Sequence, residues 1–201
     1  MNDDPVRHLA RRLNTAAAII GLWALPFFFC PAGAADYSED AVKAAYLYRF
    51  AGYVDWPGEA ADEGPFIIDV VGSPGIAREL RRLLPGHSIN GHAAQVREVT
   101  GNHDLGGARI LYIAPAHEDL LRTLLPRSNS TSMLLVTDDN GGLSDGSAIN
   151  FLTIDRNVRF EISLSAAERW GLKISSELLS VAIRVQGRPS DPAALRSRYA
   201  P

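Results

Sequence analysis

The sequence predicts a single α/β domain: a mostly parallel sheet flanked by helices, ended by a β-hairpin and two closing helices. Three observations lead there. Short apolar runs at Phe66–Val71, Arg109–Ala114 and Met133–Thr137 alternate with helix-like stretches, the order of a parallel sheet with crossover helices. Val158, Phe160, Ile162 and Leu164 then alternate with Arg159, Glu161 and Ser163, the period of a strand with one face in a core. The run Ala148–Ile154 precedes it, and Asp155-Arg156-Asn157 between them has turn chemistry, so the two runs form a hairpin. Last, Ser165 with Glu168 has the spacing of a capping box, and Ser175 precedes Leu178, Ala182 and Val185 at helical spacing.

From the start of the chain, Arg7, His8, Arg11 and Arg12 form a basic head, Ala16–Phe29 is apolar, and Pro31-Ala32-Gly33-Ala34-Ala35 is small. That is the pattern of a bacterial-type secretory signal over residues 1–35, cleaved after Ala34 or Ala35. Cys30 is the single cysteine and lies inside it. The exported chain is therefore expected to lack a thiol, a disulfide and sulfur ligands for metal. Net charge is −3 over 201 residues, which gives no electrostatic case for nucleic acid.

The domain proper is expected over residues 36–187. Ser38 is the N-cap of a helix running to about Asp55, with Val42, Tyr46, Phe50, Tyr53 and Val54 on one side and Trp56-Pro57-Gly58 ending it. The aromatics Tyr46, Tyr48, Phe50, Tyr53 and Trp56 read as core, with a ligand platform as the alternative. After the strand Phe66–Val71, Gly72-Ser73-Pro74-Gly75 leads into a helix over 76–84, with Arg78, Glu79, Arg81 and Arg82 outward. A glycine turn before a helix N-terminus resembles a phosphate cradle, but GxGxxG and GxxxxGK[ST] are absent, and a plain turn is the simpler reading.

Pro85-Gly86 and Asn90-Gly91 bracket a loop, and Ala94–Val99 reads as an edge strand. A helix is expected over 115–125. Asp138-Asp139-Asn140-Gly141-Gly142 reads as a solvated turn, since the alternating ligands of a calcium loop are broken. Residues 188–201 are expected to be a flexible tail.

No reactive centre is evident. His87, His92, His103 and His117 lack metal-ligand spacing, GxSxG and SxxK are absent, and Glu161 has no carboxylate partner at a fixed offset. No cofactor is expected.

Two blocks carry a resemblance. VKAAYLYRFAGYVDWP, residues 42–57, is similar to the opening helix of YfiR-like periplasmic proteins. GLSDGSAINFLTIDRNVRFEISLSAAERWGLKISSELLSVA, residues 142–182, is similar to their closing segment. The resemblance implies a Rossmann-like fold, often dimeric, and a non-enzymatic role in the periplasm. There it would bind the periplasmic domain of an inner-membrane diguanylate cyclase, or of a similar membrane signalling or sensor protein, and restrain it, lowering cyclic di-GMP and disfavouring biofilm growth. Arg159 and Glu161, placed outward by the strand's parity, and Trp170 and Lys173, flanking Gly171, are the expected partner contacts; a solvated strand face and a core tryptophan are the alternative. A small-molecule sensor with its ligand near Gly72–Gly75 is the second reading, and a hydrolase the third.

Overall fold

The computed structural model describes residues 38–56, 64–100, 106–117, 119–124, 132–139, 143 and 146–187. The expected signal, residues 1–35, and the expected tail, residues 188–201, lie outside the described residues.

Helix α1, Glu39–Ala51, begins where Ser38 Oγ accepts a hydrogen bond from the Ala41 amide at 3.2 Å. Its buried stripe is Lys43, Ala44, Leu47, Phe50 and Ala51, one helical face. The helix ends at Gly52, short of the expected Asp55. Val54–Asp55 instead form a two-residue strand, β1. It pairs antiparallel with a later segment, and Ser175 donates to the Tyr53 carbonyl at 2.9 Å, so tertiary pairing outcompetes two more helical residues beyond a glycine.

Strand β2, Phe66–Val71, leads through the glycine turn to α2, Pro74–Leu83, where Ser73 caps and Pro74 occupies the first turn. The expected outward arginines are exposed, and Ile76, Ala77 and Leu80 face the core. Then come β3, Ser88–Ile89, and β4, His92–Val99. Asn90 and Gly91 join them with positive φ at both residues, the geometry of a tight hairpin, so the segment expected as a loop is a turn between strands.

Strand β5 is Ala108–Ile113. The helix expected over 115–125 is a 3-10 turn, Pro115–His117, and a short α3, Asp119–Leu124. Strand β6, Leu134–Thr137, precedes the predicted hairpin: β7, Ile149–Ile154, against β8, Asn157–Ser163, in register from Ile149↔Ile162 to Ile154↔Asn157. Helix α4, Leu164–Arg169, is capped by Ser163 and not by the expected Ser165, which lies within the helix. The Ser163 hydroxyl, at the last strand residue, reaches the Ala166 amide at 3.2 Å. Strand β9, Lys173–Ile174, is the partner of β1. Helix α5, Ser176–Val181, is capped by Ser175 as predicted. Val185 belongs to no helix: Arg184–Gln186 form β10, a strand that hydrophobic spacing misassigns.

The main sheet has the order β10-β8-β7-β6-β5-β2-β4-β3. The pairs β2–β4, β2–β5, β5–β6, β6–β7 and β10–β8 are parallel, and β7–β8 and β3–β4 are antiparallel. This is a Rossmann-like α/β domain with one core. Beneath α1, Phe50 stacks on Phe151 at 5.8 Å and meets Phe160 edge-on at 5.1 Å; Tyr46 joins the same group. The opening helix therefore rests on the closing hairpin. Of the other aromatics, Trp56 packs on Phe66, while Tyr53 is exposed.

Candidate functional site

In open α/β sheets the carboxyl ends of the parallel strands are where ligands bind. Here that edge is closed by the chain itself. Gly72, in the left-handed region at φ 76°, lies under the His117 imidazole. Gly75, in the first turn of α2, lies under the Asp40 carboxylate; a β-carbon at either glycine would collide with the group above it. A carboxylate at the first turn of a helix sits in the favourable end of its dipole. The cradle-like turn Gly72–Gly75 thus carries an anion supplied by α1.

Beside it lies an ion cluster. Lys43, buried on α1, pairs with Glu39 one turn earlier and with Asp138 at the end of β6. Tyr112 Oη donates to Asp138 Oδ2 at 3.0 Å, and Thr153 Oγ1 donates to Glu39 Oε1 at 3.0 Å. Burial alone would lower the Lys43 pKa, but the hydrogen bonds it donates to Asp138 and Glu39 raise it above the ordinary lysine value. The Lys43 contact depresses the Glu39 carboxyl. Burial and then the Asp138 charge push the Tyr112 phenol up. A lysine held charged and a tyrosine held neutral make a clamp; neither is poised to release a proton near neutral pH.

A second polar knot joins β6, β7 and β8. Asn150 is fully buried and uses both ends of its amide. Its Oδ1 accepts from the Asp139 amide at 3.0 Å and from Thr137 Oγ1 at 2.9 Å; its Nδ2 donates to the Asp139 carbonyl at 2.6 Å and to Glu161 Oε1 at 3.1 Å. The other oxygen of Glu161 is paired with the Arg184 guanidinium on β10. Sequence reading passed over Asn150; its place amid apolar residues of a strand was the available signal, since a buried amide requires partners.

The four expected partner contacts separate. Arg159 is exposed on β8, opposite Leu152 of β7. Glu161 is not outward: it is 3% exposed, because β10 and the knot cover the face that parity assigns to water. Trp170 is buried as well, its indole N–H directed to the Gly146 carbonyl at 3.5 Å. Lys173 is exposed on β9, directly across from Asp55, in a different sheet from Arg159. It lines a cleft of about 340 Å³ with Tyr53, Asp55, Asn90 and Ser175. A larger groove, about 800 Å³, runs between α1 and α2, with Val42, Tyr46 and Leu83 as its apolar floor and Arg49 and Arg82 at its rim. Among the described residues no group of three or more His, Asp or Glu side chains is placed to hold a metal ion.

Comparison with known proteins places this geometry. A family model described as YfiR/HmsC-like matches residues 40–183, from the first turn of α1 to the residue before β10. A crystal structure of a conserved domain protein from Vibrio cholerae O1 biovar El Tor superposes with a TM-score of 0.50 at 13% identity, over 74% of this chain and 60% of that one. This chain thus spans 60% of that protein's length, and the likeness is one of fold. No curated protein matches the chain.

Proposed function

This chain belongs to the YfiR/HmsC-like family, a family of periplasmic regulatory proteins that work with membrane signalling partners, and from that membership we propose its role. It binds the periplasmic domain of an inner-membrane diguanylate cyclase, restrains it and so lowers cyclic di-GMP. Export through residues 1–35 brings it to that compartment. The observation that carries the reading is the family match over residues 40–183, which takes in both the aromatic opening helix and the closing hairpin. The closed carboxyl edge supports it. Where such sheets offer a ligand crevice, this one holds its own Asp40 and His117.

Within this reading Arg159 and Lys173 touch the partner directly, being exposed charges on separate sheets. Glu161 and Trp170 serve from inside by fixing β8 and the turn after α4. The test is reconstitution of the purified protein with the isolated periplasmic domain of such a cyclase, followed by calorimetry and by cyclic di-GMP measurement in cells. Saturable binding that Arg159→Glu and Lys173→Glu each weaken is expected. No binding, with cellular cyclic di-GMP unchanged on deletion, would refute the role.

A second reading, a small-molecule sensor, is favoured by the groove between α1 and α2, not by Gly72–Gly75. Tyr46 and Arg49 offer that groove an aromatic face and a charge. A thermal-shift screen with amino acids and nucleotides decides it: a hit abolished by Ala45→Trp supports the sensor, and no hit at millimolar ligand removes it.

A further inference from the structure

Strand β4 is covered along one edge and open along most of the other. Its inner edge pairs with β2 from Ala94 to Val99, whereas its outer edge meets β3 at His92 and Ala93 alone. Ile89 and His92 flank the two-residue turn and exchange their N–H and C=O groups, so alternation turns Val96 and Glu98 to that same outer edge. Among the described residues nothing continues β3 along it, and both residues keep their outward N–H and C=O groups for a further strand.

Beside this edge runs a groove of about 750 Å³, between β4 and the C-terminal end of α2. Ala94 and Val96 border it on the strand, with Leu84 and Pro85 across from them and the exposed Arg81 and His87 at its rim. Unpaired backbone groups next to a groove are the arrangement by which an extended peptide adds a strand to a sheet. We propose that β4 takes an extended acidic segment of another protein as an added strand, the segment's alternate side chains entering the groove. This goes beyond the regulatory reading and stands without it.

Charge names the segment. Helix α2, which walls the groove, carries Arg78, Arg81 and Arg82 against Glu79, and Glu79 is paired with Arg82. Arg81 meets Glu98 of β4 at 3.5 Å, with both side chains partly exposed. An exposed pair of that kind contributes little, so a carboxylate of the incoming strand replaces Glu98 at small cost. A second copy of this chain does not fit the place. Antiparallel β4 strands about a two-fold axis at Val96 would set Val99 of one copy where Ser88 of the other already pairs with Ala93.

Nuclear magnetic resonance titration of the isotope-labelled protein with the capped peptide Thr-Glu-Thr-Val-Thr-Glu-Thr tests this. The peptide reads the same in both directions, so either strand polarity can form. Saturable shifts at the Val96 and Glu98 amides are expected below about 1 mM peptide, with the Val96 amide slowed in hydrogen exchange. Two N-methylated forms, one methylated at every threonine and one at the glutamates and valine, separate a strand from a side-chain contact. Alternate amides of a strand point to opposite edges, so one form should lose binding and the other keep it. Arg81→Glu should weaken binding and Glu98→Gln should tighten it, each by about fivefold, with the melting temperature unchanged. No saturable shift, two N-methylated forms that behave alike, or charge variants that move affinity in the same direction would each overturn the proposal. So would a Val96 amide already protected in the free protein, since another part of the chain would then hold the edge.

Discussion

Glu161 of β8 and Arg184 of β10 form an ion pair across the outermost ladder of the sheet. The acid is buried and the base is more than half exposed, so the pair anchors a short edge strand to the core through one carboxylate oxygen. The other oxygen belongs to Asn150. Glu161→Lys would set two cations together over that amide and should cost about 2–4 kcal/mol; Glu161→Gln keeps the Asn150 contact and should cost about 1–2 kcal/mol. Urea denaturation gives both values. Hydrogen exchange should show the amides of Arg184 and Gln186 opening first. A Glu161→Lys protein that melts with the parent would mean that the pair contributes nothing.

The clamp between α1 and β6 predicts alkaline sensitivity. Tyr112 and Lys43 both have folded pKa values above their ordinary 10.0 and 10.5. Groups raised in this way stabilise the fold fully below those ordinary values and lose that contribution as pH climbs through the folded ones. The melting temperature should hold level from neutral pH to about 9 and fall beyond about 10. Tyr112→Phe should lower stability on the plateau by about 1–2 kcal/mol, seen as a lower melting temperature, and flatten the alkaline arm. An alkaline arm of unchanged slope in that variant would exclude Tyr112 as its source. On the acid side, Glu39 is depressed, so its smaller contribution is present above 4.5 and fades as pH falls through its folded value.

Asp40 over Gly75 predicts coupling between two residues that differ in every other respect. Gly75→Ala drives a methyl into the carboxylate and should cost about 1–3 kcal/mol. In an Asp40→Ala background the same change should cost far less, since the obstruction is gone. A double-mutant cycle with no coupling energy would show that the side chain swings clear without consequence.

At the tip of the hairpin, Asp155 and Arg156 both have positive φ, 50° and 63°. Arg156→Gly relieves that strain and should raise stability by about 0.5–1 kcal/mol, readable as a higher melting temperature. A neutral or lower value would mean that unfolded-state entropy outweighs it.

These residues also show what could be read in advance. The buried strands were legible because Phe66–Val71 and Ala108–Ile113 are apolar but for Asp69 and Arg109, and the hairpin because its parity is regular. The faces were harder. Parity places Glu161 and Ser163 with Arg159, and it holds at Arg159; it fails at Glu161 and Ser163, where a three-residue strand from later in the chain lies alongside. Such strands give no periodic signal: β1, β9 and β10 hold two or three residues each, too few for an alternation to repeat twice. The cap at Ser163 was missed for a related reason, since the last strand residue doubles as the N-cap of the helix that follows. Lys43 carries no mark in the sequence, and only the fold brings Asp138, 95 positions away, to meet it.

The first helix has no floor of its own. Phe50 and Tyr46 wait for Phe151 and Phe160, roughly a hundred residues downstream, before they can leave water. A chain cut before the hairpin would therefore bare the aromatic face of α1 to any chaperone or protease nearby.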